Sequence, residues 1–337
     1  MYLISPHKKQ YKANLHCHST NSDGTMTPAE LREMYERHGY SVLAITDHEY
    51  PCDHSALSGD GFLMLTGYEV YIRPSPDAEY NVFSPEIHLN LFARDSHNET
   101  IICYSRPYFK YLSVEKQESL PRAGKETPRE YTREYVNEFI RTARDNGYIV
   151  AYNHPYWSME SEADVLATEG FFSMEMVNYN SYLANRLEHN GALYDRLLTA
   201  GKRIFCHGAD DNHNRRPEGH PEFDSFGAFT MIMADSLDYG SIFTAMEQGE
   251  MYSSMGPEIK SIAYLDRRVH VECSPASSVI VYTGRKHPQH VTASRGRSVT
   301  SADITIDEDA KYLRVSVIDR EGRWADTRGY SRDELGM

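Results

Sequence analysis

The chain has 337 residues, with 35 Lys+Arg against 49 Asp+Glu, for a formal net charge of -14. That is roughly two domains' length, and no apolar run approaches the ~18–20 residues that cross a bilayer, which excludes a membrane-spanning protein. The acidity argues against a nucleic-acid polymer as partner. The first residues, MYLISPHKKQ, lack the apolar core of a secretory signal, and five scattered cysteines (17, 52, 103, 206, 273) form neither a disulfide framework nor a CxxC pair. Both features point to the reducing cytoplasm.

In chain order, NLHCHSTNSDG comes first. His16 and His18 stand two apart at a strand end, so both imidazoles face one side and one metal can take both. Asp23 follows within a Ser/Asn/Gly turn. Thr27, Pro28 and Glu30 then open a helix through a capping box, Leu31, Met34, Tyr35 and His38 recur at helical spacing, and Gly39 closes it. SVLAIT reads as a buried parallel strand, with Asp47 and His48 just past it. LTGYEV places Glu69 after another apolar run, and EIHLNLF puts His88 in a strand pattern. The stretch from Cys103 to Arg133 breaks this rhythm and carries seven Lys/Arg against four Glu, as an insert over a site would.

Thr127, Pro128 and Glu130 read as the start of a second helix carrying Tyr131, Tyr135, Phe139, Ile140 and Ala143. Gly147 ends it, and YIVAYN follows as a strand with His154 just beyond. A third helical unit spans about Leu183 to Ala200, then the strand RIFCH leads into FCHGADDNH, where Asp211 and His213 again stand two apart. Alternating strands and helices imply parallel βαβ units in an open sheet or barrel, where ligands gather at the carboxyl ends of the strands. After Gly256-Pro257 the period becomes two, in VHVECS, SVIVYT, SVTSADITI and YLRVSVID. This predicts an antiparallel all-β domain over 258–337 following an α/β domain over 1–257. The β domain carries net +1, so the first domain carries -15.

Any one of these histidines or carboxylates has a bland reading as core, cap or turn. Six successive strand ends that together offer six imidazoles and three carboxylates do not; that mixture suits divalent ions such as Mn, Fe or Zn. The ordered set of HxH, S-D-G turn, TDH, glutamate, two separated histidines and DxH resembles the PHP (polymerase and histidinol phosphatase) family over roughly residues 12–257. The resemblance implies a distorted (β/α)7 barrel with two or three divalent metals. His16, His18, Glu69 and Asp211 would hold one; Glu69 would bridge to a second held by His88 and His154; Asp23, His48 and His213 would hold a third. Asp23 stands where many members have histidine. Asp211 is preferred to Asp210 because it keeps the DxH spacing, and Asp47 reads as an orienter of an imidazole.

The implied reaction is hydrolysis of a small phosphate monoester (nucleotide, histidinol-phosphate-like or sugar phosphate) by a metal-bound hydroxide. Arg215 and Arg216 are candidates to clamp the phosphate, against an equal reading as solvated loop residues. His207 is a candidate acid for the leaving oxygen. Cys17 and Cys206 point away from the site by strand period and read as packing. Two rivals remain: a carboxyl-ester, amide or phosphodiester hydrolase on the same metals, and a non-catalytic module stabilised by metal. The pattern does not speak to oligomeric state.

Overall fold

The computed structural model describes residues 1–74 and 81–337. The strands of the first part are β1 Tyr2–Ile4, β2 Lys9–Asn14, β3 Val42–Ile45, β4 Leu63–Ile72, β5 Ile87–Ala93, β6 Ile101–Ile102, β7 Arg122–Ala123, β8 Tyr148–Tyr152, β9 Ser173–Asn178, β10 Phe205–Ala209, β11 Phe229–Ala234 and β12 Met251–Ser254. Their main path runs β10-β9-β8-β5-β4-β3-β2-β11-β12. β2, β3 and β4 pair in parallel, as do β8, β9 and β10. β5 runs antiparallel to both its neighbours, so the sheet is mixed and not the all-parallel one the βα rhythm predicts. No helix is described between β4 and β5, and a parallel pair needs such a crossover.

No backbone ladder closes the sheet into the implied (β/α)7 barrel among the described residues. Where β10 meets β11, the Thr230 hydroxyl does the joining: it donates to the Gly208 carbonyl (2.7 Å) and accepts from the Gly208 amide (3.1 Å). Gly208 is required there, because a Cβ would come within 2.8 Å of the Phe229 carbonyl.

The helix Pro28–Arg37 starts on the expected capping box of Thr27 and Glu30 and buries Leu31, Met34 and Tyr35. Such a cap contributes about 1 kcal/mol. The second helix begins later than the sequence predicts, at Arg133 with Thr132 as its N-cap. Arg129, two residues past Thr127, is drawn instead into a buried ion pair with Glu49, which removes that turn from the helix. Burying Val136, Phe139 and Ile140 against the sheet contributes roughly 1.5–3 kcal/mol each. The third unit is two helices, Tyr179–Asn185 and Gly191–Thr199, because Arg186 turns left-handed at φ 60°.

The β region that follows comprises β13 Ile259–Leu265, β14 Arg268–Ala276, β15 Ser278–Tyr282, β16 Gln289–Thr292, β17 Val299–Thr305, β18 Tyr312–Ile318, β19 Trp324–Thr327 and β20 Tyr330–Ser331. Backbone pairing runs across residue 257 without a break. β12 pairs with β19, and β1 pairs with β13, so the first residues of the chain join the four-stranded sheet β1-β13-β14-β17 of the β region. Leu3 and Ile4 accordingly pack in the same core cluster as Val271, Val279 and Val315. Among the described residues, no helix is long and apolar enough to cross a membrane.

Candidate metal centre

The expected donors converge at the carboxyl ends of β2, β3, β4, β8 and β10, where isolated bridges carry the strands slightly further. Cys17 bridges to Asn212 and His48 to Glu69. The His18 amide donates to the Asn212 carbonyl (3.0 Å) and the Asp211 amide to the His16 carbonyl (2.9 Å). HxH and DxH are thereby stitched together. His88 lies opposite Tyr71 in the ladder, so it shares a face with Glu69 on the neighbouring strand.

Three sets of donors face one another within ion-holding distance: His16, His18 and Glu69; Glu69, His88 and His154; and His18, Asp23, His48 and His213. Asp211 joins the first set, its Oδ1 lying 3.2 Å from both His16 Nε2 and His18 Nε2. Glu69 is the hub. Its oxygens lie 3.1 Å from His16 Nε2, 3.0 Å from His88 Nδ1, 3.5 Å from His154 Nε2 and 3.1 Å from His48 Nδ1.

The nitrogens turned away from the donors are held by the surrounding chain, which orients the rings. His16 Nδ1 donates to Glu175 Oε1 (2.8 Å) and His213 Nδ1 to the Asp211 carbonyl (3.0 Å), while His154 Nδ1 hydrogen-bonds with Ser158 Oγ (3.2 Å). His18 Nδ1, by contrast, lies between Asp23 Oδ1 (3.7 Å) and Ser22 Oγ (3.3 Å), and Ser22 donates its proton to Asp47 (2.5 Å). Asp47 thus reaches an imidazole through Ser22, while its other contacts are the Ser19 amide (2.8 Å) and hydroxyl (2.6 Å).

Glu175, on β9, is the residue that sequence reasoning missed. It is fully buried, and its Oε2 accepts from the His154 amide (2.7 Å) and Asn178 Nδ2 (2.9 Å), so it positions two donors at once. Burial pushes its carboxyl up, but His16 beside it holds it below the ordinary value. A lone charge inside the strand SMEMVN was the available signal. Two donors also sit on left-handed backbone, Asp211 at φ 54° and His154 at φ 21°, the kind of outlier that clusters at functional sites.

Asp210 turns the other way. Its carboxylate accepts from the amides of Phe226, Gly227 and Ala228 and from the Tyr35 hydroxyl, so it is a loop anchor and Asp211 alone reaches the donors. His207 is fully buried outside the cavity lining, and its Nδ1 lies 2.9 Å from Ser173 Oγ. Burial pushes it down to about 4. Arg216 pairs with Glu222 (3.1 Å) and does not line the cavity, whereas Arg215 does and binds Asp23 (2.8 Å). Cys17 and Cys206 are buried among apolar neighbours, as expected.

A cavity of about 480 Å³ opens over the donors. Beyond them it is lined by Arg73, Lys110 and Arg215 and by the aromatic rings of Tyr71, Tyr111 and Trp157. Lys110 and Tyr111 belong to the 103–133 stretch, which the buried Arg129–Glu49 pair pins beside His48. The donor set fits divalent ions. Asp23 Oδ1, His48 Nδ1 and His88 Nε2 are buried without a hydrogen-bond partner, and the carboxylates of Glu69 and Asp211 face only imidazoles and Asn side chains.

Residues 14–168 match the family model of the PHP domain. A 5'-3' exoribonuclease of Haemophilus influenzae is 38% identical over 63 residues, which is 18% of this chain and 23% of that one, so the match spans less than a quarter of the relative. Among solved structures, a two-domain protein from Bacteroides vulgatus containing a predicted PHP-like metal-dependent phosphoesterase is 13% identical, with 97% of this chain and 88% of that one covered and a TM-score of 0.45. A candidate metal-dependent phosphoesterase of Bifidobacterium adolescentis is 18% identical, covering 63% of this chain and 92% of its own, with a TM-score of 0.37. Scores this low assign neither fold nor function.

Proposed function

We propose, from the premise that residues 14–168 are a PHP domain, that this chain is a metal-dependent phosphatase acting on a small phosphate monoester. The observation that supports it most is the clustering of three donor sets, two of them sharing Glu69, at the floor of a cavity whose wall carries Arg73, Lys110 and Arg215. His16, His18, Glu69 and Asp211 would hold one ion, Glu69, His88 and His154 a second, and Asp23, His48 and His213, with His18 adjoining, a third. When bound, such ions polarise phosphoryl oxygens and make a water acidic enough to attack near neutral pH.

The protein's own part is placement and charge. Glu175, Ser158 and the Ser22–Asp47 pair keep the imidazoles aimed, so little reorganisation accompanies loading. Lys110 and Arg215 supply positive charge where non-bridging oxygens would lie. Tyr111 and Trp157 offer flat apolar surface to the leaving group. His207 takes no part as an acid, being buried away from the cavity and pushed down by burial. Glu86 lines the cavity but is ionised: burial raises its carboxyl, and His88 outweighs that and holds it below the ordinary value.

The test is release of phosphate from p-nitrophenyl phosphate by metal-free protein with Mn²⁺, Fe²⁺ or Zn²⁺ restored, beside His18→Ala. Release that needs metal and disappears in the variant is the expected result. Cleavage of p-nitrophenyl acetate or a phosphodiester instead would move the assignment to another hydrolase, and inactivity on all three would favour a non-catalytic module.

A further inference from the structure

The three donor sets differ in charge and in burial. The side chains of His16, His18 and Glu69 are at most 1% exposed, and that set has two carboxylates, Glu69 and Asp211, with Glu175 behind it. The set at the rim is more open, with Asp23 at 23% and His48 and His213 at 13%. Among the described residues its own carboxylate is Asp23 alone, with Glu69 Oε2 reaching its inner side at His48 Nδ1 (3.1 Å). That single charge already has a cation: Arg215 Nη2 lies 2.8 Å from Asp23 Oδ2.

This pair is built into the fold. The Thr25 amide donates to the His213 carbonyl (2.9 Å) and its hydroxyl to the Asn214 carbonyl (2.6 Å), which sews the Asp23 turn to the loop carrying Arg215. Asp224 accepts from the amides of His213 (2.8 Å) and Asn214 (3.0 Å) and fixes the loop from behind. A Cβ on Gly24 would lie 2.3 Å from the His18 carbonyl, so the turn sits as close to the donors as a chain can. Arg215 holds one oxygen of Asp23. The other, Oδ1, is buried without a hydrogen-bond partner and faces His213 Nε2 at 3.3 Å, His48 Nε2 at 3.6 Å and His18 Nδ1 at 3.7 Å.

We infer that Arg215 is a built-in counter-ion that aims Asp23 and cancels its charge, so that the rim set holds a divalent cation firmly only together with an anion such as phosphate in the cavity. The inference rests on the phosphatase reading and adds a coupling to it. A dication beside neutral imidazoles, a carboxylate and a guanidinium keeps its full charge uncompensated, and a phosphate dianion supplies what is missing. Arg215 and Lys110, both on the cavity wall, would meet the same anion. Arg215 is a positioning residue for Asp23, and its solvent exposure of 64% keeps the effect moderate. Removing its charge should tighten the rim ion by about tenfold, the scale of one partly screened charge at this range.

The test counts Mn²⁺ per chain after equilibrium dialysis of metal-free protein against graded free Mn²⁺, with and without inorganic phosphate. Wild-type protein should fill the rim set at about tenfold lower free Mn²⁺ when phosphate is present. Arg215→Gln should reach similar tightness without phosphate, Arg215→Lys should behave as wild type, and Asp23→Asn should lose the rim ion in both conditions. A rim ion indifferent to phosphate, or an Arg215→Gln curve that overlays wild type, would overturn the inference. Protein that takes up no Mn²⁺ at any set would instead overturn the metal reading beneath it.

Discussion

Two buried clusters of charge in this molecule are built on opposite principles. At the seam with the β region, Arg314 makes a two-pronged contact with Asp195 (2.7 and 2.6 Å) and a further bond to Asp326 (2.8 Å), which His189 also contacts at 2.9 Å. The guanidinium also lies 4.0 Å from the Tyr282 ring centre, so each charge there has a partner within the chain. At the candidate metal centre the buried carboxylates face imidazoles. Burial lowers His18 and His88, but Asp211 and Glu69 for the first, and Glu69 for the second, outweigh it and push both up to about 10. Without added cations, protons on these rings are the available counter-charge. The seam is an internal clamp; the centre is shaped for cations that the chain does not itself provide.

The sharpest way to break this contrast is Glu69→Gln. It removes the carboxylate shared by the two inner donor sets, and metal-dependent turnover should fall by more than the roughly 10–100-fold typical of an outer partner, with the melting temperature of metal-free protein nearly unchanged. Arg314→Met should do the reverse. It strands Asp195 and Asp326 at the seam and should lower stability by about 3–5 kcal/mol in denaturant unfolding, with metal content per folded chain intact. A variant in which both properties moved together would show that the two clusters are one unit.

Glu175→Gln is milder. The bond to His16 survives without its charge, and metal affinity measured by competition with an indicator should weaken roughly 10–100-fold. Smallest is the acid response of the seam. Burial raises the Asp326 carboxyl, but His189 and Arg314 hold it below its ordinary value of 3.8. A depressed carboxyl stabilises the fold above its unfolded value, and that contribution is lost as pH falls through the folded one. Unfolding followed from pH 5 downward should therefore lose stability from this group below about pH 4, and Arg314→Met should flatten that slope.

The site was legible in the sequence to the extent that its donors are local. HxH, TDH and DxH each stand just past a strand, and such strand ends converge whether or not the sheet closes; the candidate donors His16, His18, Asp23, His48, Glu69, His88, His154, Asp211 and His213 are brought together. What was illegible depends on partners far apart in the chain. Glu175 finds His16 across 159 positions and Arg129 finds Glu49 across 80, and neither spacing leaves a periodic trace. The same cause explains the shortened second helix, where the pull of Glu49 on Arg129 overrides the start signal of Thr127 and Pro128. Period two exposed β14, β15, β17 and β18, but not the short strands β16, β19 and β20, nor β13, nor that Tyr2–Ile4 would join them, because three residues carry too little pattern.

The most direct test of the central claim is uptake of divalent metal by chelator-treated protein, counted by elemental analysis and followed by thermal melting. At a hundredfold excess over the dissociation constant, one bound ion stabilises by about 2.7 kcal/mol. Saturable uptake with a raised melting temperature, lost in Glu69→Gln and kept in Arg314→Met, is the predicted result. Uptake no greater than that of Glu69→Gln, with an unchanged melt, would contradict the account.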